Sequence, residues 1–104
     1  MMIPGNFLED NLFMSTEDTN DKIAKWLGLS FFTPPQYASY DPAAIGLLHE
    51  LRARGYRWEL GSVYNDVWLQ ISKPHEPPIV ECHAPTIAEA ISGAVIQLIN
   101  KGEP

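Results

Sequence analysis

DPAAIGLLHELRARG, residues 41–55, carries a start, a stripe and a stop for one helix. Asp41 is the expected N-cap, because a carboxylate there accepts from free first-turn amides and faces the positive end of the dipole. Pro42 suits the first helical position, where its missing N–H would be unpaired in any case. Ala44, Leu47, Leu48 and Leu51 recur at i, i+3, i+4 and i+7 and make one apolar face, with His49, Glu50, Arg52 and Arg54 elsewhere on the wheel. Gly55 supplies the left-handed residue that ends a helix. The other elements read as a sheet and a second helix packing onto this one.

Downstream, Tyr56, Trp58 and Leu60 alternate with Arg57 and Glu59, the pattern of a half-buried strand. Turn chemistry spans residues 61–66, and Val67, Leu69 and Ile71 then alternate with Trp68, Gln70 and Ser72, which completes an antiparallel hairpin. After the loop KPHEPP a third strand is expected over 79–83, with Val80 and Cys82 inward and Glu81 and His83 outward. Short connections between successive strands favour a meander. The last helix opens on Thr86 and Glu89 at capping-box spacing and carries Ile87, Ile91, Ala94, Val95 and Leu98 on one face. Ile96 lies off that stripe, where a lone isoleucine is expected on the surface, with a second contact as the alternative.

Upstream, a short helix is expected over 19–27, with Ile23, Trp26 and Leu27 on one side and Gly28 as its stop. The next stretch, LSFFTPPQYASY, is extended because its two prolines forbid helix. Its aromatics, Phe31, Phe32, Tyr37 and Tyr40, are expected to close the rim of the core. Residues 1–15 form a leader with Ile3, Phe7, Leu8, Leu12, Phe13 and Met14 but no lysine or arginine, ahead of a single α+β domain over 16–104. So much apolar surface calls for cover, from the chain itself or from a second subunit. Phe7, Leu8, Leu12, Phe13 and Ile96 are accordingly the candidate interface residues.

The inward face of the expected sheet can receive two long helices. The opposite face is polar apart from Trp68, so the leader or the short helix is expected to lie across it. The fold class is therefore α+β: a three-stranded antiparallel sheet, two long helices on one face and a short N-terminal helix or leader on the other, like an α/β/α sandwich.

A chain of 104 residues buries one core. Its net charge of −6 argues against general nucleic-acid binding. One cysteine makes no internal disulfide and points to a reducing compartment. The N-terminus lacks the basic region of a signal peptide, and no apolar run nears the roughly 18 residues of a membrane span. Cys82 and His83 resemble a nucleophile and base, yet adjacent strand residues point to opposite faces. His49, His75 and His83 lack metal-ligand spacing. Neither catalytic residues nor a metal or other cofactor is expected. Arg52, Arg54 and Arg57, with Trp68 to stack, are the candidate residues for a small anionic ligand such as a nucleotide.

The order of elements is also informative: IAKWLGL, a proline-rich link, SYDPAAIGLLHELRARGY, the hairpin YRWEL and VWLQIS, then IVECHAPTIAEAISGAVIQLI. Over about residues 20–100 this resembles the phage ABA sandwich family, small bacteriophage and prophage proteins. The resemblance implies helices on both sides of a sheet, and a phage or prophage accessory protein in the bacterial cytoplasm. The expected function is binding without catalysis, as a homo-oligomer or with a phage or host protein. Sequestration of an anionic ligand and a structural or assembly role in a phage are the alternatives.

Overall fold

The computed structural model describes residues 15–29 and 34–103, so the expectations for the leader, Phe31 and Phe32 lie outside the described residues. The elements are α1 (Thr16–Trp26), α2 (Asp41–Ala53), β1 (Arg57–Val63), β2 (Asp66–Ser72), β3 (Pro78–Ala84) and α3 (Ile87–Asn100). The strands form an antiparallel meander in the order β1-β2-β3. This is the α+β class expected, with α2 and α3 on one face of the sheet.

Strand register sorts the side chains by period two. Trp58, Ile71 and Val80 share an inner row, as do Leu60, Leu69 and Cys82. The outer rows are Arg57–Ser72–Pro78, Glu59–Gln70–Glu81 and Gly61–Trp68–His83. The expected turn over 61–66 is narrower than its composition suggested. β1 continues through Val63, and only Tyr64 and Asn65 connect the strands. Gly61 stays in the strand because the Trp68 indole lies against its bare Cα, where any Cβ would overlap the ring. Tyr64 turns the chain with φ 56°, the sign that glycine or asparagine usually supplies in a two-residue loop.

The helix around which the chain is built is α3 rather than α2. α3 packs against β2, β3, α2 and α1 together. Ile91, Ala94, Val95 and Leu98 are fully buried, and Ala90 and Ile96 on other sides of the same helix are also buried. Ile96 is therefore not a surface residue: it is 3% exposed, because α1 supplies α3 with a second packing partner. Each buried leucine or isoleucine contributes on the order of 1.5–3 kcal/mol of transfer free energy.

α1 departs from expectation in two ways. It begins at Thr16 rather than Thr19, since Ser15 caps it by accepting from the Asp18 amide at 3.0 Å and Glu17 and Asp18 stand in its first turn. It also packs on α3, on the helical side, and not across the outer face of the sheet. The reason is visible in its buried residues. Ile23 and Ala24 join the common core, and Asn20, 1% exposed, accepts from the Ala38 amide and donates to Gln36 Oε1. A polar outer sheet face offers no such burial.

Asp41 does not cap its own helix. Tyr40 is the N-cap and makes no side-chain capping bond, while Asp41 Oδ1 accepts from the Ala88 amide at the start of α3, 3.1 Å away. That start is closed a second time by Thr86, whose hydroxyl accepts from the Glu89 amide and donates to the Glu89 carboxylate, each at 3.1 Å. Of the two described rim aromatics, Tyr37 is buried, but Tyr40 is 59% exposed and seals nothing.

Near the C-terminus, Glu103 joins three segments. Its carboxylate accepts from the Tyr56 hydroxyl at 3.1 Å and pairs with Lys73 at 3.3 Å, while its carbonyl accepts from Trp26 Nε1. Burial, then the Glu103 carboxylate, push the Tyr56 phenol up to about 12.

Candidate functional site

β3 is an edge strand. β2 pairs with one side of it, and among the described residues no strand pairs with the other. Beside that free edge lies a groove of about 480 Å³. One wall is β3 and its exit, Glu81, Cys82, His83, Ala84 and Pro85. α3 supplies Glu89, Ser92, Gly93, Ile96 and Gln97, and the opening turns of α1 supply Thr16 and Thr19, with Ala38 nearby.

Local chemistry explains how this groove is held. α3 sits flush on β3 because Gly93 has no side chain: a Cβ there would stand 2.7 Å from Cys82 Sγ. Ser92 is buried and returns its hydroxyl to the Ala88 carbonyl at 2.7 Å, so it satisfies itself within α3. Thr16 and Thr19 reach the groove because the Ser15 cap starts α1 early. The lining is mixed, with the apolar Ile96, Ala84 and Pro85, small hydroxyls, and the carboxylate of Glu89.

Cys82 and His83 occupy opposite sides of β3, as their adjacency predicted. The thiol lies against Gly93, and burial raises its pKa above the ordinary value of 9.0. A raised thiol pKa reduces the thiolate available as a nucleophile. On the outer face His83 Nε2 meets Glu81 at 2.6 Å and Nδ1 meets Asp66 at 2.8 Å. Glu81 also accepts from Gln70 at 2.7 Å. Donating to Glu81 and then to Asp66 raises the His83 pKa, and accepting from His83 lowers that of Glu81. Both imidazole nitrogens are thus occupied by carboxylates. Among the described residues no group of three or more His, Cys, Asp or Glu is placed to hold a metal ion.

The four residues proposed for an anion fall at separate places. Arg54 is engaged at the junction of α1 and α2. Its Nε pairs with Glu50 at 2.8 Å, Nη2 donates to the Trp26 carbonyl at 3.1 Å, and the guanidinium stacks 4.1 Å from the Trp26 ring centre. Arg52 lies 5.8 Å from the Trp58 ring centre. Arg57 reaches a second, smaller hollow of about 260 Å³, which Lys73, His75, Glu59 and Glu76 also line. Trp68 rests on Gly61, two outer rows from Arg57. The smaller hollow matches its two formal cations with two carboxylates and has no cationic excess.

Sequence reasoning missed the groove, because its walls come from segments about 15, 82 and 93 residues along the chain. Ile96, off the main stripe of α3, was the one signal pointing to it. No protein-family model, no curated protein and no solved structure matches the chain.

Proposed function

We propose that this chain is a non-enzymatic binding protein that takes an extended segment of a partner protein along the free edge of β3. The observation that carries the reading is the coincidence of a strand edge that no described strand pairs with and a groove of about 480 Å³ directly beside it. A strand added to a sheet edge gains affinity from main-chain hydrogen bonds and specificity from pockets that receive alternate side chains. Here Ile96, Ala84 and Pro85 suit an apolar side chain, and Glu89 suits a lysine or arginine. Catalysis is disfavoured by the separation of Cys82 from His83 and by the occupied imidazole.

In the phage or prophage setting that the resemblance implies, the partner is a phage or host protein of the bacterial cytoplasm. A homo-oligomer follows from the same chemistry when a second copy offers its own edge. The groove supports this reading better than sequestration of an anion, since Arg52, Arg54 and Arg57 do not converge.

Selection of random peptides by mRNA display on the full-length protein tests the proposal. The expected winners are extended, with one apolar and one basic residue, and Gln97→Arg, which puts a bulky cation in the groove, abolishes their binding. Arg57→Ala, in the smaller hollow, leaves it unchanged. Winners that ignore Gln97→Arg, or a selection with no winners, would refute it.

A further inference from the structure

Among the described residues, most of the charges around the smaller hollow are unpaired. The hollow measures about 260 Å³ and rests on the outer face of the sheet, where Arg57 stands opposite Ser72 in register and Glu59 opposite Gln70. The β2–β3 connection adds Lys73, His75 and Glu76. Lys73 is engaged by Glu103 at 3.3 Å and Gln70 by Glu81 at 2.7 Å. The side chains of Arg57, Glu59, His75 and Glu76 make no hydrogen bond or ion pair with any described residue. Arg57 and Glu59 are opposite in charge and share one face of β1, roughly 6.6 Å apart at about 3.3 Å per residue. They do not close on each other.

The connection beside them is strained. The Glu76 amide donates to the Lys73 carbonyl at 3.1 Å across Pro74 and His75. Proline holds the first central φ negative and His75 takes φ 64°, so this is a type II turn with histidine at the position glycine usually fills. His75 is exposed, so packing does not explain it. Backbone strain of this kind gathers at ligand sites, and His75 lines the hollow.

We propose that the hollow binds a small zwitterion, an amino acid or a dipeptide, with its carboxylate on Arg57 and His75 and its ammonium on Glu59 and Glu76. A guanidinium recognises a carboxylate through two parallel N–H donors, and the two glutamates recognise an ammonium. A simple anion would meet both glutamates and a simple cation would meet Arg57, so a ligand of both signs satisfies every group. The volume lies just below the roughly 300–1,000 Å³ of common ligand pockets, which keeps the occupant small. A dipeptide spans up to roughly 7 Å at about 3.3–3.6 Å per residue, close to the Arg57–Glu59 spacing, and a single amino acid spans half of that. The dipeptide is therefore the favoured source. The hollow shares no lining residue with the β3 groove, so the two sites stand or fall separately.

Backbone amide NMR titration of the full-length protein tests this, with Gly-Xaa dipeptides covering every side chain in one arm and the free amino acids in the other. The expected result is saturable shifts at Arg57, Glu59, His75 and Glu76, strongest with a dipeptide. Arg57→Ala and Glu59→Gln each weaken the best compound by roughly tenfold or more. N-acetylation of that compound removes its ammonium, and the acetylated form binds the wild type and Glu59→Gln alike. His75→Gly relieves the turn, so it weakens binding without lowering the melting temperature. All of these side chains are exposed, and the variants fold.

Free amino acids that outbind every dipeptide would keep the zwitterion and assign the shorter source. No saturable shift in either arm, binding that survives both Arg57→Ala and Glu59→Gln, or an acetylated compound as tight as its parent would each overturn the proposal.

Discussion

The two faces of the sheet each set a glycine beneath a larger side chain, and the difference between the two pairs describes the molecule. On the helical face Gly93 of α3 lies against Cys82, with the core on either side. On the outer face Gly61 lies beneath Trp68, with no described element above it. The first pair is half-buried between two layers at the groove wall, where the Cys82 thiol has less room to turn than a side chain on the outer face. The second is bordered by solvent, and the ring has somewhere to go. Close packing makes one face unforgiving, while the other is a polar surface that an antiparallel sheet can leave in water.

The largest test of this contrast is the core itself. Ile91→Ala, in the fully buried centre of α3, is expected to cost about 2–5 kcal/mol. Gln70→Ala, on the outer face, is expected to stay within about 0.5 kcal/mol. Urea denaturation of both variants measures the gap, and equal costs would erase the distinction between the faces.

Next in size is Gly93→Ala, for which overpacking costs about 1–3 kcal/mol against a gain in helix propensity of up to about 1 kcal/mol. The net effect is destabilising, and Cys82→Ala in the same chain restores most of the loss. A double-mutant cycle by thermal unfolding checks the pair, and additive effects would show that the two residues do not press on one another. The corresponding change on the outer face, Gly61→Ala, is expected to shift stability by about 0.5 kcal/mol or less. Its signature is a red shift of Trp68 fluorescence as the ring leaves the strand.

The smallest effect is electrostatic. His83 has a raised pKa, so its contribution to stability is complete below the unfolded value of 6.5 and is lost as pH rises through the folded value. Glu81 has a lowered pKa, so its contribution is present above 4.5 and is lost as pH falls through the folded value. The pair is strongest between those two limits. Because both side chains are about half exposed, the energetic effect is small. Glu81→Gln should bring the His83 midpoint down toward 6.5 in an NMR titration of the imidazole protons, and an unmoved midpoint would deny Glu81 its leading share.

How far the sequence disclosed this architecture depends on the range of the interactions involved. The hairpin, the third strand and the last helix were legible because alternation and capping are local. Val80 and Cys82 turn inward and Glu81 and His83 outward, as period two requires. Asp41 was assigned to its own helix because nothing local reveals that its carboxylate reaches the Ala88 amide, 47 residues away. The place of α1 was misjudged for a similar reason. Its choice between the two sides of the sheet rests on Asn20 finding Ala38 and Ile23 finding the core, contacts that no periodicity encodes. The arginines looked like one patch in RARGYR, and only the fold shows Arg54 engaged by Trp26 and Glu50 while Arg57 emerges on the far face. The groove was the least legible feature, being a space between three segments rather than a property of any one.

The central claim is that the free edge of β3 receives extended chain. Its most direct test is a backbone amide NMR titration of the full-length protein with a display-selected peptide. The predicted result is a set of shifts confined to residues 81–84, 92–97 and 16–19, with Arg57, Glu59 and Gln70 unmoved. Shifts concentrated on Arg57, Glu59 and Gln70, with residues 81–84 silent, would contradict it.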